Sequence, residues 1–140
     1  GAHTCVVEAT GQIHCWGDNT FNQVTDTPLT AEYSFVSTGN YHSCALTTTG
    51  EVDCWGLDES GQVSDTPTSS GFIDITTGGN FSCALDANRS PICWGDDSYS
   101  QVAETPLQAT FAHLAAGWGH VCGLTTANTI ECWGDGVGGG

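Results

Sequence analysis

Lysine and methionine are missing from this sequence, and arginine occurs once, at Arg89. Against that single cation stand 16 acidic side chains, for a formal net charge of -15. A surface so poor in positive charge repels phosphate, which disfavours nucleic acid and anionic membranes as partners. The same composition describes any well-solvated acidic surface, so it names no partner by itself. No apolar run approaches the roughly 20 residues needed to cross a bilayer, and no membrane insertion is expected. No basic-then-apolar signal segment leads the chain. No stretch carries an amphipathic helical period of useful length, so little or no α-helix is expected. Closely spaced cysteine pairs of the Cys-x-x-Cys kind, which zinc sites favour, are lacking as well.

What is present is a repeat. Cys5, Cys44, Cys83 and Cys122 recur at a step of 39 residues, as do Cys15, Cys54, Cys93 and Cys132. Trp16, Trp55, Trp94 and Trp133 follow the second cysteine, each before a glycine, and Gln23-Val24, Gln62-Val63 and Gln101-Val102 keep step. A fixed period of this size means tandem supersecondary units, each too small to bury its own apolar face. The chain divides into an incomplete unit 1–30, units 31–69 and 70–108, and an incomplete unit 109–140. Within unit 31–69, His42 to Gly56 reads as a β-hairpin. A three-residue loop Thr48-Thr49-Gly50 with Gly50 in the left-handed region sets Leu46 opposite Val52 and Cys44 opposite Cys54. Directly opposed Cα atoms lie about 4.5 to 5.5 Å apart, close enough for each pair to close inside its own hairpin. Gly11 and Asn128 suit the same loop position; Arg89 does not, so a different turn is expected in unit 70–108. A further strand precedes each hairpin at Tyr33, Phe72 and Phe111, and a short fourth is expected near the Gln-Val pair. Disulfides persist outside the cytosol, which places the protein in an extracellular or cell-surface setting.

Read as Gly-x-x-His-x-Cys-Ala-Leu, a turn, Val-x-Cys-Trp-Gly and Gly-Gln-Val, the segment Gly39 to Val63 resembles the regulator of chromosome condensation repeat. The resemblance implies an all-β, propeller-like array of tandem 39-residue hairpin or blade repeats, and its bacterial extracellular variety places Cys at these two hairpin positions. These units are shorter than the family's and fewer than a closed ring requires. The first lacks its leading strand and the last its trailing segment, so the chain is expected either to belong to a longer propeller or to self-associate through open strand edges, as a filament or closed oligomer. The Gly138-Gly139-Gly140 ending reads as a linker or tail.

Candidate chemistry is weighed against the repeat itself. Asp18, Asp58, Asp96, Asp97 and Asp135 follow Trp-Gly in successive copies, and turn formation accounts for them better than a glycosidase pair or a calcium loop. His3, His42 and His120 share a position that Phe81 fills in the third copy, which marks packing. No catalytic constellation, metal site or cofactor is expected. The four repeated Trp read as inter-repeat packing. Trp118 breaks the repeat and is a candidate sugar-stacking platform or interface anchor, with core packing the commoner fate of such a residue. Asn80-Phe81-Ser82 matches the glycosylation acceptor pattern, as does Asn88-Arg89-Ser90 before Pro91. The function expected is a non-enzymatic extracellular structural or interaction module, with a carbohydrate- or protein-binding propeller domain as the alternative.

Overall fold

Each pair of cysteines lies across a short antiparallel hairpin. A computed structural model describes residues 1–136, so the Gly138-Gly139-Gly140 ending lies outside the described residues. The strands are β1 (His3–Val7), β2 (Ile13–Gly17), β3 (Tyr33–Thr38), β4 (His42–Thr47), β5 (Val52–Gly56), β6 (Asp74–Thr77), β7 (Phe81–Leu85), β8 (Pro91–Gly95), β9 (Phe111–Ala116), β10 (His120–Thr125) and β11 (Ile130–Gly134). They form the sheets β1-β2, β3-β4-β5, β6-β7-β8 and β9-β10-β11, and no helix occurs among the described residues. In the second sheet Leu46 faces Val52 and Cys44 faces Cys54. All four hairpins carry the disulfide, each with a Cα separation of 4.1 Å.

The loop chemistry explains the common register. Thr47 N–H donates to Glu51 O at 2.9 Å and Gly50 N–H to Thr47 O at 3.1 Å, with Gly50 at φ +84°. Arg89 departs from expectation: it holds φ 66° and makes the same turn as the others. Asp86 stabilises it by accepting the amides of Asn88 and Ser90 at 2.8 and 2.9 Å, an Asx turn that offsets the steric cost of a left-handed side chain.

The expected fourth strand is replaced by a turn. Asn19, Asp58 and Asp97 each accept two backbone amides, those of residues 24 and 25, 63 and 64, and 102 and 103, and this capping curls the Gln-Val segment away from the sheet. The curl carries the glutamine backbone to the next unit. Trp55, Trp94 and Trp133 donate their Nε1–H to the carbonyls of Gln23, Gln62 and Gln101 at 2.9, 3.1 and 3.0 Å. Core clusters accordingly span the junctions. Leu46 and Val52 of one unit pack with Phe72, Ile75, Ala84 and Trp94 of the next, and Leu85 with Phe111, Leu114 and Trp133. Trp16 is different, at 53% exposed, because among the described residues no preceding unit covers it.

The leading strands β3, β6 and β9 lie side by side and are stitched by side chains. Thr77 N–H donates to Ser37 Oγ at 3.1 Å, Ala116 N–H to Thr76 Oγ1 at 3.0 Å and Leu114 N–H to Asp74 Oδ2 at 3.0 Å. On the other side of each junction a second polar link recurs. His3 Nε2 shares a hydrogen bond with Ser43 Oγ at 2.7 Å, and His42 Nε2 with Ser82 Oγ at 2.9 Å. At the third junction both partners change together: Phe81 replaces the histidine and Val121 the serine, and both are fully buried. His120 holds the equivalent place in the last unit and is exposed, so it is a packing residue only where a following unit stands against it.

Candidate functional site

Antiparallel order sends two kinds of loop to the same end of each three-stranded sheet: the turn between the leading and middle strands, and the loop after Trp-Gly. The first turns close on one another. Asn40 N–H donates to Gly79 O at 3.2 Å and Gly79 N–H to Trp118 O at 2.9 Å, enclosing a shallow depression of about 180 Å³. Gly39, Gly78 and Gly117 are required there, since a Cβ on any of them would run into the ring of His42, Phe81 or His120.

In the loops after Trp-Gly the carboxylates are occupied with local bonds. Asp18 Oδ2 and Asp96 Oδ2 accept from the buried Gln23 Nε2 and Gln101 Nε2 at 2.8 and 3.0 Å, while those glutamines accept the amides of Phe21 and Tyr99. The Thr20 hydroxyl, at 2.7 Å, holds the Asp18 carboxyl below the usual carboxylate range. In the second unit Leu57 stands where the others have Asp, and Gln62 Nε2 is left buried without a partner. Leu57→Asp is therefore expected to stabilise the protein by about 1.5 kcal/mol, the lower end of the worth of a hydrogen bond to a charged acceptor, measured as a raised midpoint in urea. An unchanged or lowered midpoint would count against this reading of the loop.

What departs from the repeat is aromatic and exposed. Phe21 meets Tyr41 edge-on at 5.1 Å between ring centroids, and Tyr99 meets Trp118 at 5.3 Å. Trp118 is 60% exposed, so it lies outside the core. Between the two aromatic pairs, at the middle junction, sits half-buried Asn80, whose Oδ1 has no partner. Its acceptor-pattern neighbours Phe81 and Ser82 are fully buried.

The second candidate surface is the pair of open units. At one end β1 pairs with β2 alone, and Val6 and Trp16 are exposed. At the other, Leu124 is exposed and Ile130 is 72% exposed beside a groove of about 220 Å³ lined with His113, Leu114, Cys122 and Gly123. The equivalent residues Leu46, Val52 and Leu85 are buried under the unit that follows. Position in the repeat was legible from sequence, but exposure at the open units was not, because a residue's role depends on the unit beside it. Among the described residues no group of three or more His, Cys, Asp or Glu is placed to hold a metal, and no helix is long and apolar enough to cross a membrane.

The model of the regulator of chromosome condensation (RCC1) repeat matches residues 1–23, 34–62 and 72–101. Among solved structures, the chain superposes on the ectodomain of the receptor kinase CR4 of Physcomitrella patens with a TM-score of 0.79 and 31% identity, covering 95% of this chain and 38% of that one. The CRINKLY WD40 ectodomain of the Arabidopsis thaliana receptor kinase ACR4 gives 0.76 and 33%, covering 96% and 50%. Prp20p of Saccharomyces cerevisiae, described with its binding to Gsp1p and histones, gives 0.76 at 18% identity, covering 95% and 41%. The chain thus spans half or less of the length of these proteins. No curated protein sequence matches it.

Proposed function

The chain belongs to the RCC1 repeat family, and on that premise we propose that it is a non-enzymatic structural and interaction module working outside the cytosol, as a subunit or piece of a larger assembly. The family is typically non-catalytic, and its propeller blades are scaffolds for protein contacts. Four disulfides, together with the likeness to two receptor ectodomains, support the extracytoplasmic setting. The observation that carries the assembly reading is a contrast within one repeat position. Trp55, Trp94 and Trp133 are 4 to 5% exposed where a neighbouring unit packs on them, and Trp16 is 53% exposed where none does. Exposed apolar surface that matches a junction already built several times in the same chain is a ready contact for further subunits. A filament, surface layer or longer propeller each satisfies it.

Sedimentation velocity of the oxidised chain tests this. Species at multiples of 14.5 kDa are expected at micromolar concentration, and Ile130→Glu is expected to return them to monomer. The side chain is already exposed, so the substitution costs the fold no more than about 0.5 kcal/mol. A monomer throughout, indifferent to the substitution, would overturn self-association. The exposed Tyr99–Trp118 pair favours a second reading, a carbohydrate- or protein-binding face on the end of the blades, since flat exposed aromatic rings suit the apolar faces of sugars.

A further inference from the structure

We propose that the corner formed by Tyr99, Trp118 and Asp135 binds the cationic head of a lysine or arginine side chain presented by a partner protein. The inference rests on the second reading of this end of the blades as a binding face, and it names the chemistry that the face selects. One place in the repeat differs at each of the three junctions. Residues 21, 41 and 57 at the first correspond to 60, 80 and 96 at the second and to 99, 119 and 135 at the third. At the first junction the place is filled and apolar. Tyr41 lies edge-on against Phe21 with 5.1 Å between ring centroids, and the third member is Leu57. At the second it is polar, with Ser60, Asn80 and Asp96. At the third the tyrosine side chain is missing and a carboxylate stands where the leucine was: Tyr99, Gly119 and Asp135.

Gly119 makes the space. A Cβ there would lie 3.1 Å from Tyr99 Cδ2 and 3.4 Å from Asp135 Cβ, so a ring and an acid border the spot that the Tyr41 side chain takes at the first junction. Its φ lies outside the left-handed region, so the backbone does not demand glycine here. Trp118 closes the other side, its ring meeting that of Tyr99 at 61° with centroids 5.3 Å apart. Two ring faces at such an angle beside a carboxylate suit an organic cation, which both the ring quadrupoles and the negative charge attract. The Asp135 charge is not spent locally as those of Asp18 and Asp96 are. Those two accept from Thr20 and Ser98, two residues on, and from Gln23 and Gln101, five residues on. At the same spacings from Asp135 stand Val137 and Gly140, whose side chains donate nothing. A continuing loop leaves the place open: at the first junction, where the loop after Leu57 is described in full, Phe21 and Tyr41 stay 36% and 40% exposed. The wider field agrees, because 16 acidic side chains against one arginine draw cations in and turn anions away. That arginine cannot fill the corner from within the chain, since Arg89 sits in the turn between β7 and β8, at the opposite end of its sheet. A neutral sugar would use the rings but not the charge.

The probe is the blocked tripeptide acetyl-Gly-Arg-Gly-amide, or its lysine form, titrated to about 20 mM into the oxidised full chain carrying Ile130→Glu so that assembly does not intrude. The readout is the Trp118 indole N–H resonance, assigned by its loss in Trp118→Phe. It is expected to move saturably with both cationic peptides and to stay still with the citrulline peptide, which keeps the shape of arginine without its charge. Asp135→Asn, at an exposed position, is expected to weaken binding at least about threefold, and 0.5 M salt to do about the same. Gly119→Tyr restores the side chain of the first junction and is expected to abolish the movement. Equal binding of the citrulline peptide, or indifference to Asp135→Asn, would overturn the proposal. Movement with the neutral disaccharide diacetylchitobiose and none with the cationic peptides would sink this inference and leave the end of the blades a sugar-binding face; movement with none of them would sink both. A Trp118 resonance that shifts with protein concentration alone, and stops shifting in Arg89→Gly, would make the occupant a second copy of this chain and overturn the partner.

Discussion

Reducing all four disulfides is expected to abolish the cooperative thermal unfolding of the array at temperatures where the oxidised protein is folded. Each bond closes a loop between cysteines ten positions apart, worth about 2 to 3 kcal/mol in the chain-entropy account, and four of them approach about 10 kcal/mol. That is comparable with the whole stability of an ordinary domain, about 5 to 15 kcal/mol. The bonds are also structural in place. Cys44 and Cys83 are fully buried and belong to the junction cores, so loss of an inner bond loosens two units together. The end bonds, Cys5–Cys15 and Cys122–Cys132, join cysteines that are all only half-buried. Mild reductant is thus expected to open the end pairs first, read by alkylation and mass spectrometry, with the large loss of ellipticity arriving when the inner pairs go. A melt unchanged with all eight thiols alkylated would show that packing alone sustains the fold.

The hairpins and their disulfides were legible in the sequence because nothing varies in them but the side chains on an unchanging loop length. Once Cys44 and Cys54 are placed, Leu46 and Val52 have no freedom left. Arg89 misled because its own propensity is read from one residue, whereas the turn is stabilised by the Asp86 side chain three places earlier. The Gln-Val segment looked like strand for a similar reason. Its fate is set by Asn19, Asp58 and Asp97, which compete for its backbone amides. The residues of greatest functional interest were visible but not interpretable. Trp16 and Trp55 are the same letter in the same motif, and His120 is the same letter as His42. Only the presence or absence of a unit beside them separates a core residue from a contact surface. Trp118 and Tyr99 meet across a junction, at a distance no spacing rule within one repeat predicts.

The second large effect is expected on acidification, and its source is the buried histidine pair rather than the many carboxylates. Burial pushes the His42 pKa down to about 4, and the neighbouring His3 adds to the shift; His3 itself is lowered by burial. The ring is neutral in the fold, bonded to Ser82 through Nε2, with Nδ1 buried and unpartnered. Unfolded, it titrates at the ordinary 6.5. Above that pH neither state holds the proton and the full stability is present. Between 6.5 and about 4 the unfolded chain takes a proton that the folded one refuses, so stability falls as pH falls. Below about 4 the folded ring is protonated too and this loss levels off. The gap corresponds to about 3 kcal/mol from His42, with a further loss of the same sign from His3. Carboxylates held low, such as Asp18, give up their share only below their own range, at more acidic pH. The third junction shows how to remove the effect, because Phe81 and Val121 fill the same two places without a titratable group. Combining His42→Phe with Ser82→Val is expected to flatten most of the decline between pH 6.5 and 4, measured as urea midpoints across that window, while leaving stability at pH 7.5 within about 1.5 kcal/mol of the parent. An equal decline in the variant would place the acid sensitivity elsewhere. Flattening would establish that the middle junction is held by a ring that must stay uncharged, and that this repeat position accepts an apolar pair or a neutral polar one as long as no charge is buried between the blades.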